Sequence, residues 1–169
     1  MQVTNTQSTA ELNEGCKVAF DELNSCLNPK YRFIVLSLSD DEQEIFVSHK
    51  QDINSSIVEA HNSLLSLLPD QNPSWVAYNF PYLTVGGGKR NKVAIINWVP
   101  DTLTRGSMKD SARVKMMAVC CNGKVKRELK GAVCFIQANC VDDLKYDLVL
   151  EKISRYEREP IDYEVSKTL

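Results

Sequence analysis

Residues 113–129 read RVKMMAVCCNGKVKREL and bring two kinds of reactive side chain together. Cys120 and Cys121 are adjacent thiols, and Arg113, Lys115, Lys124, Lys126 and Arg127 supply positive charge. Neighbouring thiols could form a redox pair or share a metal. On a helix, however, consecutive residues point about 100° apart, which suits neither a relaxed disulfide nor joint tetrahedral ligation. Cys16, Cys26, Cys134 and Cys140 make no C-x-x-C pair, and only His49 and His61 could complete a metal set. No metal or cofactor is expected, and the cysteines read as free thiols of a reduced, cytosolic protein.

Other catalytic patterns are also missing from the sequence. GGGKRNK at 86–92 lacks the G-x-x-x-x-G-K-[ST] spacing and lies between two predicted strands rather than before a helix, so it reads as a hairpin turn. There is no G-x-S-x-G elbow, and neither histidine stands in a general-base motif. Asp142 and Asp143 fall at a predicted helix start, where carboxylates offset the helix dipole. The chain is not expected to be an enzyme.

Charge remains as the functional signal. Lysine and arginine number 20 against 22 acidic residues, a net charge of -2, which argues against a nucleic-acid partner. Yet the basic residues gather in Lys89, Arg90 and Lys92, in the 113–127 stretch, and in Lys152 and Arg155. A localised positive surface aimed at an acidic partner follows from that clustering.

These groups need elements to hold them. The 169 residues suffice for one domain. No apolar run reaches the length of a membrane span, and the polar start MQVTNTQSTAELNE does not read as a signal peptide. Helical spacing of Cys16, Phe20, Leu23 and Leu27 predicts a helix over 14–27, stopped by Asn28-Pro29. Residues 31–38 and 45–47 predict a hairpin about the turn 40–42. Ile57, Ala60, Leu64, Leu67 and Leu68 mark a second helix capped by Asn54 or Ser55, with His61 half-exposed on it. Strands are predicted over 75–80, 93–99 and 132–137, the second buried on both faces. Val114, Met117, Ala118, Cys121 and Val125 form one apolar stripe on a long helix, with Gly123 a point where it could break and Asn122 re-cap it. A last helix over 141–155 would bury Leu144, Leu148 and Ile153. The expected organisation is a flexible segment 1–13, a domain 14–156 and a loose tail 157–169. The fold class is mixed α/β, a central five- to six-stranded mixed sheet with helices on both faces.

The words VAFDEL, YRFIVLSLSDDEQEIFV, GKRNKVAIINWVPDT, RVKMM, KVKRELKG, IQANC and VLEKISR occur in this order along nearly the whole chain. Together they resemble the actin-depolymerising factor and cofilin family. The resemblance implies its homology fold and an actin-binding protein that engages monomers and filament sides, severs filaments and promotes their depolymerisation. It implies that Arg113, Lys115, Met116 and Met117 contact the actin monomer, with the N-terminal segment around Ser8 on the same face. It further implies a second, filament-specific face of Lys89, Arg90, Lys92, Glu151, Lys152 and Arg155. The expected protein is monomeric, cytoplasmic and cytoskeleton-associated.

Two alternatives keep the fold. One is action on the actin-branching complex, as in the glia-maturation-factor branch; the other is a mainly monomer-sequestering or phosphoinositide-binding module, the lipid site using Lys124, Lys126, Arg127 and Lys130. The chain also departs from the family pattern. About seven extra residues stand near TLTRGSMKDS, Ala118 replaces a usual tyrosine, VCCN replaces a small polar segment, and Ser8 precedes Thr9 rather than glycine.

Overall fold

The runs YRFIVLSL, SWVAYNFPYL and VAIINW carry apolar residues at consecutive positions, so strands built from them need cover on both faces. A computed structural model, describing residues 9–104 and 106–169, shows how that cover is supplied. The strands are β1 (Glu11–Leu12), β2 (Tyr31–Leu38), β3 (Glu44–Asp52), β4 (Ser74–Leu83), β5 (Lys89–Trp98) and β6 (Cys134–Ala138). They form one mixed sheet in the order β1-β3-β2-β4-β5-β6. The inner pairings are antiparallel, and both edge strands, β1 and β6, pair in parallel.

The helices are α1 (Glu14–Leu23), α2 (Ile57–Leu67), α3 (Met108–Glu128), α4 (Tyr146–Ser154) and α5 (Tyr163–Ser166). On one face of the sheet, Phe33, Val35, Val76, Tyr78 and Ile96 pack with Ile57 and Leu64 of α2 and Val149 and Ile153 of α4. On the other, Ile34, Leu36, Trp75, Ala77 and Ile95 pack with Phe20 of α1 and Ala118, Cys121 and Val125 of α3. The period-2 alternation of the strands thus feeds two separate cores.

Pro81 sits inside β4 without breaking the sheet. β2 pairs with β4 only from Ser74 to Tyr78, and the backbone of Leu83, two residues past Pro81, faces outward to the C-terminal segment. The missing N–H of Pro81 therefore faces a side where β2 has already ended.

Several elements differ from the sequence-based expectation. The first helix stops at Leu23, and Leu27 is 98% exposed rather than inward. The partner strand β3 runs nine residues, not three, because β2 is long enough to pair with all of it. α2 is capped by Ser56, whose hydroxyl accepts from the Glu59 N–H, and Leu67 turns out to solvent. Lys89, Arg90 and Lys92 belong to β5 rather than to the turn, which is confined to residues 84–88.

α3 does not break at Gly123. Cys121 and Val125 bury on either side of it, and Asn122, instead of capping a new helix, accepts the Trp75 indole N–H at 2.9 Å. The last helix is split into a 3-10 turn, Val141–Leu144, and α4, and Leu148 faces out at 41% exposure. Finally, the tail expected to be loose docks on the sheet. Ile161 bridges Thr84 and is buried, and Ser166 is fully buried at the end of α5.

His61 is buried, not half-exposed, with a ring nitrogen 2.8 Å from the Leu144 carbonyl and Tyr146 edge-on beside it. An Nε2–H donating to that carbonyl leaves Nδ1 buried without a partner among the described residues. Burial lowers the pKa below the ordinary 6.5, and the bond to Leu144 offsets this only in part.

Two predictions follow from this packing. A histidine whose folded-state pKa is lowered contributes stability above its unfolded value, and that contribution is lost as pH falls through and below about 6.5. Urea midpoints should therefore drop more between about pH 7.5 and about pH 5.5 for the parent chain than for His61→Leu. Gly123 is exposed on a continuous helix, and a methyl group there would meet nothing within 4 Å. Gly123→Ala should raise unfolding free energy by about 0.5–1 kcal/mol in urea titration; a loss would mean that the helix needs glycine there.

Candidate functional site

α3 carries two apolar stripes. The stripe of Val114, Ala118, Cys121 and Val125 faces the core. Met108, Ala112, Met116 and Val119 fall at i, i+4, i+8 and i+11 on the opposite side, in solvent, with Met108 91%, Met116 70% and Val119 64% exposed. Met117 lies between the stripes, partly buried against the core. Lys115 stands in the outer stripe, half-buried, and makes no ion pair among the described residues. An exposed row of methionines is an adaptable apolar surface, because the unbranched thioether can reshape to a partner.

The start of α3 lies within the extra stretch. Ser107 accepts from the Asp110 N–H at 3.2 Å, while the Asp110 carboxylate accepts from the Ser107 N–H at 3.1 Å and its hydroxyl at 2.8 Å. These bonds, the backbone one first, hold the Asp110 pKa below the usual carboxylate range. Residues 108–112 thus form more than one helical turn before Arg113. Between that turn and the preceding loop runs a groove of about 460 Å³ lined by Leu103, Thr104, Met108, Ala112 and Lys115. Sequence reasoning passed over Met108 and Val119, although S-M-K-D at 107–110 is a capping-box signature that would have started the helix there.

Arg113 is committed within the molecule. Its Nη2 donates to Glu42 Oε1 at 2.9 Å and its Nη1 to the other carboxylate oxygen. Glu42, at φ 60 in the β2–β3 turn, is nearly buried, while the Arg113 side chain remains 56% exposed. The pair fixes that turn against α3. Ser8 lies outside the described residues.

The second basic set lies at the far end of the β4–β5 hairpin and on α4. Lys89 is exposed and without an ion pair among the described residues. Arg90 pairs with Glu159 at 3.0 Å, and Lys92 approaches Glu157 at 3.9 Å. On α4, Glu151 and Arg155 pair with each other at 3.1 Å, leaving Lys152 without an ion pair among the described residues. α4 packs in the core opposite that of α3, so Lys152 lies in the layer opposite the outer stripe of α3.

The third set is not one patch of free cations. Lys124 is nearly buried and pairs with Glu11 of β1 at 2.5 Å, and Lys126 sits over the Phe135 ring at 4.8 Å. Arg127 and Lys130 are exposed. Cys121 lies in the core, where burial raises its pKa and keeps it a thiol, while Cys120 faces out. Among the described residues no group of acidic, histidine and cysteine side chains could hold a metal ion, and no helix is long and apolar enough to cross a membrane.

The family described as cofilin/tropomyosin-type actin-binding protein matches residues 9–154. Cofilin of Gibberella zeae is 33% identical over 157 residues, covering 89% of this chain and 97% of that protein. Cofilin of Saccharomyces cerevisiae is 31% identical over 138 residues, covering 81% and 87%. The crystal structure of Streptomyces griseoflavus cofilin superposes with a TM-score of 0.71 at 27% identity, covering 86% of this chain and 98% of that one. With the six-stranded sheet and its two helical layers, these matches establish that the chain belongs to the cofilin and actin-depolymerising-factor family.

Proposed function

We propose that this protein binds actin as monomer and along filament sides, and promotes filament severing and depolymerisation through binding alone. It acts as a monomer in the cytoplasm, at the cytoskeleton, and is not an enzyme. The observation that carries this reading is the outer face of α3, where Met116 and Val119 stand in solvent beside half-buried Lys115 within a chain of this family. A row of flexible apolar side chains flanked by cations suits an apolar cleft on an acidic protein. The methionines supply contact area, and the cations steer the encounter.

Lys89 at the end of the β4–β5 hairpin and Lys152 on α4, without an ion pair among the described residues, supply a second contact that a neighbouring filament subunit would meet. Gripping two subunits favours whichever filament geometry fits both faces, so differential binding does the mechanical work. Arg113 contributes chiefly by holding the Glu42 turn beside α3 and presents only its remaining exposed edge to actin. The lipid-binding alternative narrows to Lys126, Arg127 and Lys130, since Lys124 is held by Glu11.

Lys115→Ala with Met116→Ala should weaken binding to monomers and filaments alike by roughly tenfold or more, about 1.4 kcal/mol, in monomer titration and filament cosedimentation. Unchanged affinity for both would remove α3 as the grip. Lys89→Ala with Lys152→Ala should weaken filament cosedimentation and leave monomer titration unchanged; an equal loss in both assays would sink the two-face reading. Imaging of single filaments should show breaks appearing with the parent chain.

A further inference from the structure

The chain beyond α4 returns to the basic hairpin and settles on it. Val85 N–H donates to the Pro160 carbonyl at 2.8 Å, Asp162 N–H donates to the Leu83 carbonyl at 2.8 Å, and Leu83 N–H donates to the Ser166 hydroxyl at 2.9 Å. Ile161 is buried between them. These bonds fix the register of the segment, so the side chains before it are aimed at the hairpin. Glu159 pairs with Arg90, Glu157 accepts the Tyr82 hydroxyl and lies by Lys92, and Arg158 between them is exposed.

A cleft of about 360 Å³ lies on the same end of the hairpin, walled by Arg32, Lys89, Arg90 and Asn91. Among the described residues Arg32 donates to backbone carbonyls, at 2.9 Å to Ile53, and to no carboxylate. Three cations thus line this space, and among the described residues Arg90 alone of the three meets a carboxylate, that of Glu159.

We propose that residues 157–162 are a built-in competitor for the β4–β5 hairpin, and that the hairpin's partner is an acidic protein segment whose carboxylates displace Glu159 and enter the cleft beside Lys89 and Arg32. The proposal rests on the reading of this hairpin as a filament-facing surface, and adds its regulation and the chemistry of what it grips. The backbone bonds hold the strap in place, while the Arg90–Glu159 pair, half in solvent on both sides, is weak enough to exchange for a partner's carboxylate. Glu157 stays charged throughout the physiological range, since the Tyr82 hydroxyl and the N–H groups of Arg158 and Glu159 hold its pKa down to about 2. Because the exchanging Arg90–Glu159 pair is half in solvent, masking is relieved by competition and by salt.

Filament cosedimentation of Glu157→Gln with Glu159→Gln tests this, with thermal melting to confirm folding. The double variant should bind filaments about threefold to tenfold more tightly, with a steeper loss of affinity on adding salt and unchanged monomer binding. Glu159→Gln alone, which leaves the Tyr82 contact intact, should give part of the gain if the double variant folds poorly. Unchanged or weaker filament binding by the single variant overturns the strap.

Lys89→Ala with Lys152→Ala in the same assay separates the two ideas. If that change weakens filament binding while the glutamine variants gain nothing, the strap fails and the filament-facing reading stands. If it costs no filament binding, the reading fails and the strap falls with it. A gain by the glutamine variants on phosphoinositide vesicles but not on filaments would also overturn the acidic-segment proposal.

Discussion

Strands β4 and β5 send side chains into two cores at once. Trp75 and Ala77 go to one face and Val76, Tyr78 and Phe80 to the other, so neither side of the sheet can meet water. The placement of the helices follows from having to cover both. α3 is fastened by Val114, Ala118, Cys121 and Val125, and that fastening forces its opposite stripe outward. α4 is fastened in the other layer by Val149, Leu150 and Ile153, which carries Lys152 to a different surface. The outer surfaces of α3 and α4 lie on opposite layers as a consequence of sandwiching one sheet between two sets of helices.

The outer stripe of α3 runs against the usual economy of a surface helix. Met108, Met116 and Val119 in solvent give up burial that a polar residue would not miss. Their persistence at helical spacing is what an external partner would account for. Residues 108–112 belong to this row rather than to a loop, because the Ser107–Asp110 capping box starts the helix at Met108. The groove beside Met108 and Lys115 extends the surface in the same direction.

Basic residues that look alike in sequence differ once their neighbours are known. Arg113, Lys124, Arg90 and Arg155 each meet a carboxylate of the same chain, whereas Lys89, Lys115 and Lys152 have none among the described residues. Paired cations set geometry: Arg113 ties a turn to a helix, and Lys124 ties β1 to the same helix. Unpaired ones are available to steer and hold a partner, with no internal bond to break first. The C-terminal strap belongs to the same distinction, since its glutamates convert two hairpin cations from free to occupied.

The sequence alone determined what local pattern encodes. Continuous apolar runs marked β5 as buried on both faces, the 3.6-residue spacing marked the inner stripe of α3 and placed Cys121 in the core, and the glycines after Val85 marked a hairpin turn. The ordered words across the chain carried the family and the mixed sheet. Only the tertiary structure decided the rest, because it depends on residues far apart in the chain. The continuity of α3 through Gly123 comes from burial on both sides of it and from Trp75, 47 positions away from Asn122. The burial of His61 comes with its bond to the carbonyl of Leu144, 83 positions away in the chain. The docking of the tail comes from backbone bonds to β4 that no periodicity announces. Above all, which lysines and arginines are free is set by where Glu11, Glu42, Glu157 and Glu159 arrive in space, and a linear charge pattern contains no such information.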